Sequence, residues 1–262
     1  MELYRFRRGS KPLLVSMPHT GTYVPQWLEP RLTRAAKMLP DTDWHLEQLY
    51  DFLGELGACV LVATHSRYVV DLNRPPDNAD LYPGQDTTGV VPVDTFHKAP
   101  LYLPGFSPSE AEVRSRIDQY WKPYHAKLAE ELDRIKNQHS YALLWDAHSI
   151  LSELPRFFAG RLPDFNLGTA DGRSCKPGVG EKLLEKISSY TKVLNGRFKG
   201  GYITRTYGKP ADNVHAVQLE LSERIYMEEQ PPFRFREHLA KNVRPQLTGL
   251  LSTFMQGFAP IA

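Results

Sequence analysis

Only two cysteines, Cys59 and Cys175, occur in the 262-residue sequence, far apart and in no CxxC pair. A disulfide framework and a cysteine-rich zinc site are thereby excluded, and a reducing, cytoplasmic setting is expected. Neither sign of charge is in excess, with 32 Lys and Arg against 30 Asp and Glu. A nucleic-acid or membrane-surface protein would carry a concentrated basic surplus, so neither partner is expected. The apolar run at 58–63 falls far short of the roughly 18 residues that span a bilayer. The opening MELYRFRRGS has no apolar stretch of signal-peptide type, so no secretory leader is expected. Repeats and low-complexity tracts are absent. So are HExxH, GxSxG, the P-loop and GxGxxG, which removes the common short signatures of zincins, nucleophile elbows and nucleotide sites. With 41% hydrophobic and 24% charged residues, the composition fits an enzyme of small molecules.

What is present alternates between strand and helix patterns. LLVSM (13–17) reads as a short buried strand ending at Pro18. Residues 43–56 read as a helix, because Leu46, Leu49, Tyr50 and Leu53 recur at i, i+3, i+4, i+7. Residues 58–64 and 68–71 read as Val-rich strands. A long irregular stretch, 73–106, is dense in Pro, Gly and Asp, as functional loops often are. Ser107, Pro108 and Glu110 predict an N-cap, a first helical residue and a capping box for a helix running to about Asn137 and bent at Pro123. YALLWDA (141–147) is a near-continuous apolar run, the mark of a central strand buried on both faces. A Pro/Gly-rich loop is expected at 152–177, a helix at 179–190, strands at 192–195 and 214–221, and a last helix at 235–254 with Pro245 inside. One α/β sheet with helices on both faces follows. No linker divides the chain, so 1–262 is expected to be a single domain.

Ligands of open α/β sheets bind beyond the carboxyl ends of strands. Three polar segments fall there: Pro18-His19-Thr20-Gly21, Asp146-Ala147-His148-Ser149, and Glu220 in the last strand. Two histidines and a carboxylate at separate strand ends are the material of a zinc hydrolase site, which needs three protein ligands and an open position. The plainer alternative is that His19 and His148, two of nine histidines, are separate structural residues. Asp41, Asp43 and Glu47 are the acids nearest His19, and a first-turn acid that complements the helix dipole is the alternative for Asp43. Asn73-Arg74 follows a strand, where a guanidinium fork can be held ready for a carboxylate. An ion pair of Arg74 with Asp71 or Asp77 is the alternative there. Arg67, Arg156 and Arg205 are further candidates for acidic groups, and NGRFKGG (195–201) reads as a turn able to close over a ligand.

Eight blocks in order carry a resemblance: SMPHTGTYVP (16–25), TDWHLEQLY (42–50), SRYVVDLNRPPDN (66–78), YPGQDTTGVVP (82–92), WDAHSILSELPRFFAG (145–160), PDFNLGTADGRSC (163–175), NGRFKGGYITRTYG (195–208) and VHAVQLELSERIYM (214–227). Together they resemble the N-formylglutamate amidohydrolase (N-formylglutamate deformylase) family over roughly residues 13–227. The resemblance implies a three-layer α/β/α domain with a mixed central sheet, zinc-exopeptidase-like (phosphorylase/hydrolase-like), similar to zinc carboxypeptidases and aspartoacylase. It implies a zinc-dependent hydrolase, or one using another divalent metal, that cleaves N-formyl-L-glutamate to L-glutamate and formate in histidine degradation. Carried over by motif, His19, Asp43 and His148 are the metal ligands, with Asp43 replacing the glutamate of the relatives' HxxE pattern. Glu220 is the catalytic residue, with Glu223 its competitor. Asn73 and Arg74 inherit the hold on a substrate carboxylate, and Arg156 or Arg205 supplies a second contact. Asp146 orients a ligand from behind. Another N-acyl amino acid deacylase or a small carboxypeptidase on the same fold is the alternative within enzymes. A non-catalytic binding protein for acidic metabolites is the alternative outside them.

Overall fold

Seven strands form one mixed sheet in the order β1-β3-β2-β4-β7-β5-β6 in a computed structural model whose described residues are 1–258. They are β1 (Tyr4–Arg7), β2 (Leu13–Met17), β3 (Cys59–Ala63), β4 (Ala142–Ile150), β5 (Phe165–Gly168), β6 (Lys192–Leu194) and β7 (Val214–Ser222). The helices are α1 (Arg34–Lys37), α2 (Leu46–Leu49), α3 (Leu53–Leu56), α4 (Glu110–Arg116), α5 (Lys122–His139), α6 (Val179–Lys186), α7 (Tyr202–Tyr207) and α8 (Glu237–Gln256). β2, β3, β4 and β7 run parallel, whereas β1 and β5 are antiparallel to β3 and β7. Every residue of β2, β3, β4, β5 and β7 is buried, which is why β2, β3 and the first half of β4 read as largely apolar runs, while β7 reads as an alternating strand.

Helices cover both faces. Leu46, Leu49 and Leu53 of α2 and α3, Leu183 of α6 and Val243, Leu247 and Leu250 of α8 pack with Leu143, Trp145, Val217 and Leu219 on one side. Tyr124, Leu128, Leu132 and Ile135 of α5 and Ile203 of α7 pack with Leu14, Leu144 and Ala216 on the other. On this second face the side chains change character along the strands. β4 presents Ala142 and Leu144, then Asp146 and His148. β7 presents Val214 and Ala216, then Gln218 and Glu220. The polar half lies at the carboxyl ends, so that face is packed at one end and chemically equipped at the other.

Several expected boundaries move, each for a local reason. The helix expected over 43–56 is two single turns, because His45 takes a left-handed φ of 62° and Asp43 is drawn back to His19. Asp43 therefore precedes the helix and is no first-turn acid. The strand expected over 68–71 is a turn, in which the Tyr68 and Val69 amides donate to Ser66 Oγ and Ser66 O. The capping residue is Ser109, whose Oγ accepts from the Glu112 amide at 3.3 Å, and not Ser107. A widened π turn over Ile117–Trp121 lies just ahead of Pro123, where the missing N–H and the ring would otherwise break the ladder. α8 contains Pro245 and continues through it. β1, β5 and α7 fall where no element was expected. β5 is four residues long, and the polar Asn166 sits within it. Cys59 and Cys175 are both buried and free. No helix among the described residues is long and apolar enough to cross a membrane.

Candidate active site

β2 ends at Met17, and Pro18 and His19 form the turn that leaves its carboxyl end. Gly21 then passes so close to the neighbouring chain that a Cβ would sit 2.2 Å from the His65 carbonyl oxygen, which explains the glycine after His-Thr. The His19 carbonyl accepts a hydrogen bond from the Asp43 amide at 3.0 Å, and this brings the acid to the histidine across 24 residues of chain. His148 arrives from β4, the strand next to β2, and its ring centroid lies 4.9 Å from that of His19. Asp43 Oδ2 stands 3.2 Å from His148 Nδ1 and 3.8 Å from His19 Nδ1. His19, Asp43 and His148 each offer one ligand atom, all within 4.8 Å of one another and all buried.

Each ring is held from behind. His19 Nε2 lies 2.7 Å from Asp71 Oδ1, and Asp71 in turn accepts from Arg67 Nη2 at 2.6 Å and from the Asn73 amide at 2.9 Å. Burial alone would raise the Asp71 carboxyl, but Arg67, His19 and Arg74 outweigh it and hold it well below the usual carboxylate range. Burial, followed by the Arg67 charge, lowers His19. His148 Nε2 lies 3.1 Å from Asp146 Oδ1, without alignment for a hydrogen bond, and 3.0 Å from Asn73 Nδ2. Burial opposes a proton on His148, yet Asp146 and Asp43 raise it well above the ordinary imidazole range.

This donor set fits a metal. Two imidazole nitrogens and one carboxylate oxygen match a three-ligand catalytic site for zinc. Carboxylates behind both rings are the outer partners that metal-binding histidines use. Asp146 Oδ1 is buried without a hydrogen-bond partner 3.1 Å from His148 Nε2, an acceptor within reach of that N–H, given a small turn of the ring, once Nδ1 is given to a cation.

Arg67, Arg74, Arg197, Gln218 and Glu220 are among the residues that line the cleft at this point. Glu220 pairs in register with His148 across β4 and β7, so both side chains leave the same face at the same level. Burial pushes the Glu220 carboxyl up to about 8, with Asp43 adding to the rise and His148 opposing it. Gln218 Nε2 donates to Glu220 Oε2 at 3.2 Å. Gln218 Oε1 accepts from the Gly201 amide at 2.6 Å.

A family model described as N-formylglutamate amidohydrolase matches residues 11–227. The chain belongs to the N-formylglutamate amidohydrolase family. A Pseudomonas putida protein named N-formylglutamate deformylase is 51% identical over 253 residues, covering 95% of this chain and 94% of that one. A Pseudomonas aeruginosa protein of the same name is 51% identical over 257 residues, covering 97% and 96%. The crystal structure of an N-formylglutamate amidohydrolase from Ralstonia eutropha aligns with a TM-score of 0.84 at 25% identity, covering 99% of this chain and all of that one. A gene product of Agrobacterium tumefaciens, 17% identical with a TM-score of 0.75, shares the fold.

Against this family background the expected site residues sort clearly. His19, Asp43, His148, Asn73, Arg74 and Glu220 all line the one cleft. Asp146 Oδ1 stands 3.1 Å from His148 Nε2. Glu223 is buried outside that lining, with Oε2 unpartnered, and burial together with Asp43 and Glu229 raises it well above the usual range. Asp41 is taken up by the Phe96 amide, and Glu47 pairs with Arg5 at the surface, so neither joins the ligand cluster. Arg156 and Arg205 do not line the cleft. The Arg156 guanidinium is held by Asp86 and Asp94, each at 2.9 Å. Arg205 donates to the Gly200 carbonyl at 2.7 Å and lies over the Tyr82 ring. Asp71 and Arg197 are additions from the structure. Asp71 stands in the quoted DLNR block, where it entered only as a candidate partner for Arg74, and it pairs instead with Arg67.

Proposed function

We propose that this chain is a zinc-dependent deformylase that hydrolyses N-formyl-L-glutamate to L-glutamate and formate, a step of histidine degradation. The carrying observation is the meeting of His19 Nδ1, Asp43 Oδ2 and His148 Nδ1, with Glu220 leaving the same sheet face as His148 from the adjoining strand. Those three atoms would hold the metal, which when bound supplies Lewis-acid polarisation of a carbonyl and makes a water more acidic.

Glu220 takes the proton of the attacking water and returns it to the departing nitrogen, in the role of general base and then general acid. Gln218 holds Glu220 through Oε2, and Asp71 and Asp146 keep the two rings turned inward. Asn73 is engaged on both ends of its amide, with Nδ2 donating to Asp146 Oδ2 at 3.4 Å and Oδ1 accepting from the Ile203 amide at 2.8 Å. It positions the site, while Arg74 meets a substrate carboxylate. The Arg74 fork is set by Thr88 O at 2.9 Å and Asn73 O at 3.2 Å, both neutral acceptors that leave its charge available. The two free, buried thiols support a reducing compartment such as the cytoplasm.

Formate release from N-formylglutamate, before and after chelation and after zinc is returned, tests this reading. Activity should vanish with chelation and come back with zinc. Full activity after complete metal removal refutes the metal, and equal turnover of N-acetylglutamate makes the protein a broader deacylase.

A further inference from the structure

N-formylglutamate carries two carboxylates, and the reading above gives a partner to one. Arg156 and Arg205 are engaged away from the cleft. Arg197 lines the cleft together with Arg74 and Glu220. Its Nε donates to the Phe157 carbonyl at 2.7 Å and its Nη2 to the Asp86 carbonyl at 3.3 Å. Nη1 has no acceptor among the described residues. The guanidinium carbon lies 5.2 Å from the Tyr82 ring centre, 5.6 Å from that of Phe157 and 5.4 Å from that of Phe198. Carbonyls and ring faces of this kind orient a cation without cancelling its charge.

Arg74 is in the same condition: its acceptors are two carbonyls and the Thr88 hydroxyl. Neither Arg74 nor Arg197 forms an ion pair with a carboxylate among the described residues, whereas Arg67 has Asp71 and Arg156 has Asp86 and Asp94. Burial, and then the like charge of Arg74, bring Arg197 below the ordinary guanidinium range. Glu220 and Asp86 offset part of that, but neither pairs with a guanidinium of Arg74 or Arg197, and two half-buried cations facing one cleft favour anions that enter and pair with them directly. A ligand with a carboxylate at each end provides one for each.

We propose that Arg197 is the second carboxylate-binding residue, so that Arg74 and Arg197 each take one carboxylate of the substrate. The assignment rests on the deformylase reading and adds its specificity determinant: a ligand lacking either carboxylate leaves a guanidinium unpaired.

The test uses zinc-loaded wild type, Arg197→Met and Arg197→Lys with three substrates. These are N-formylglutamate, N-formylglutamine (side-chain carboxylate amidated) and N-formylisoglutamine (α-carboxylate amidated). Arg197→Met should lose about 10–150-fold in kcat/KM on N-formylglutamate, the scale of one charge-assisted contact, mostly through KM. The same loss should persist on one monoamide and disappear on the other, whose missing carboxylate is the one Arg197 holds. Arg197→Lys keeps the charge without the fork and should fall between. No loss, or an equal loss on all three substrates, overturns the assignment. Calorimetric binding of L-glutamate to the same proteins gives a readout independent of turnover. A wild type that releases no formate yet binds L-glutamate at least tenfold more tightly than Arg197→Met refutes the deformylase reading and supports Arg197. Equal binding in both, or none in the wild type, overturns Arg197.

Discussion

Replacing Glu220 by glutamine separates two properties that the carboxylate joins. Burial first, and then Asp43, lift this group from an ordinary 4.5 to about 8 in the folded protein without metal. The folded value lies above the unfolded one, so folding favours the protonated form. Stability linked to Glu220 is complete below pH 4.5 and drains away as the pH rises toward 8. At roughly 1.36 kcal/mol per pH unit, the interval from 4.5 to pH 7 costs the metal-free protein on the order of 3 kcal/mol relative to a neutral side chain of the same shape. For a chain of this size about 1 kcal/mol moves Tm by roughly 2–4 °C. Chelator-treated Glu220→Gln should therefore melt about 6–12 °C above chelator-treated wild type at pH 7, and scarcely above it at pH 4.5. Its kcat, with zinc restored and metal content unchanged, should fall roughly 10²–10⁴-fold. Scanning calorimetry at the two pH values and a formate assay read both effects. A Tm difference that does not change with pH would show that the carboxylate is not held neutral by its surroundings. A near-normal kcat would remove Glu220 as the base and direct the next substitution to Glu223.

His19→Ala and His148→Ala should each lose most of the roughly one zinc per chain that a three-ligand site binds, measured by atomic absorption after dialysis. Full occupancy in both variants would dissolve the proposed centre. Asp71→Asn removes the anion behind His19 and should weaken zinc binding about 10–100-fold in competition with a chromophoric chelator; unchanged affinity would leave Asp71 as a partner of Arg67 alone. Arg74→Lys keeps the charge but not the fork, and its kcat/KM on N-formylglutamate should drop about 10–150-fold. Wild-type kinetics in that variant would make the Asn73-Arg74 pair structural.

The strands that line the site were legible because both their faces are covered. LLVSM and YALLWDA are nearly continuous apolar runs for that reason, His148 stands out just past the second, and Glu220 stands out as a carboxylate within the alternating VHAVQLEL. β5 stayed hidden: four residues carrying an asparagine and ending in a glycine, between Pro163 and the turn at 170–173, are too short to show a period. The 43–56 segment has a helical repeat, but periodicity does not register the left-handed His45 or the hydrogen bond from Asp43 to His19. That bond makes Asp43 a ligand candidate, so from spacing alone Asp41 and Glu47 stood level with it. Arginines posed the same difficulty. Arg156, Arg205 and Arg197 look alike in a sequence, and only their neighbours distinguish two cations engaged elsewhere from one that faces the cleft.

The pairing of His148 with Glu220 also makes activity a gauge of how the chain has been assembled. In β7 the residues on either side of Glu220 are Leu219 and Leu221, whose side chains leave the opposite face. A slip of one residue between β4 and β7 would put a leucine at the level of His148 and turn the carboxylate into the apolar layer under α8. Such a chain could remain compact and keep much of its spectroscopic signature while being inert. In preparations refolded from denaturant, formate released per milligram would then count the molecules whose two central strands found the right alignment.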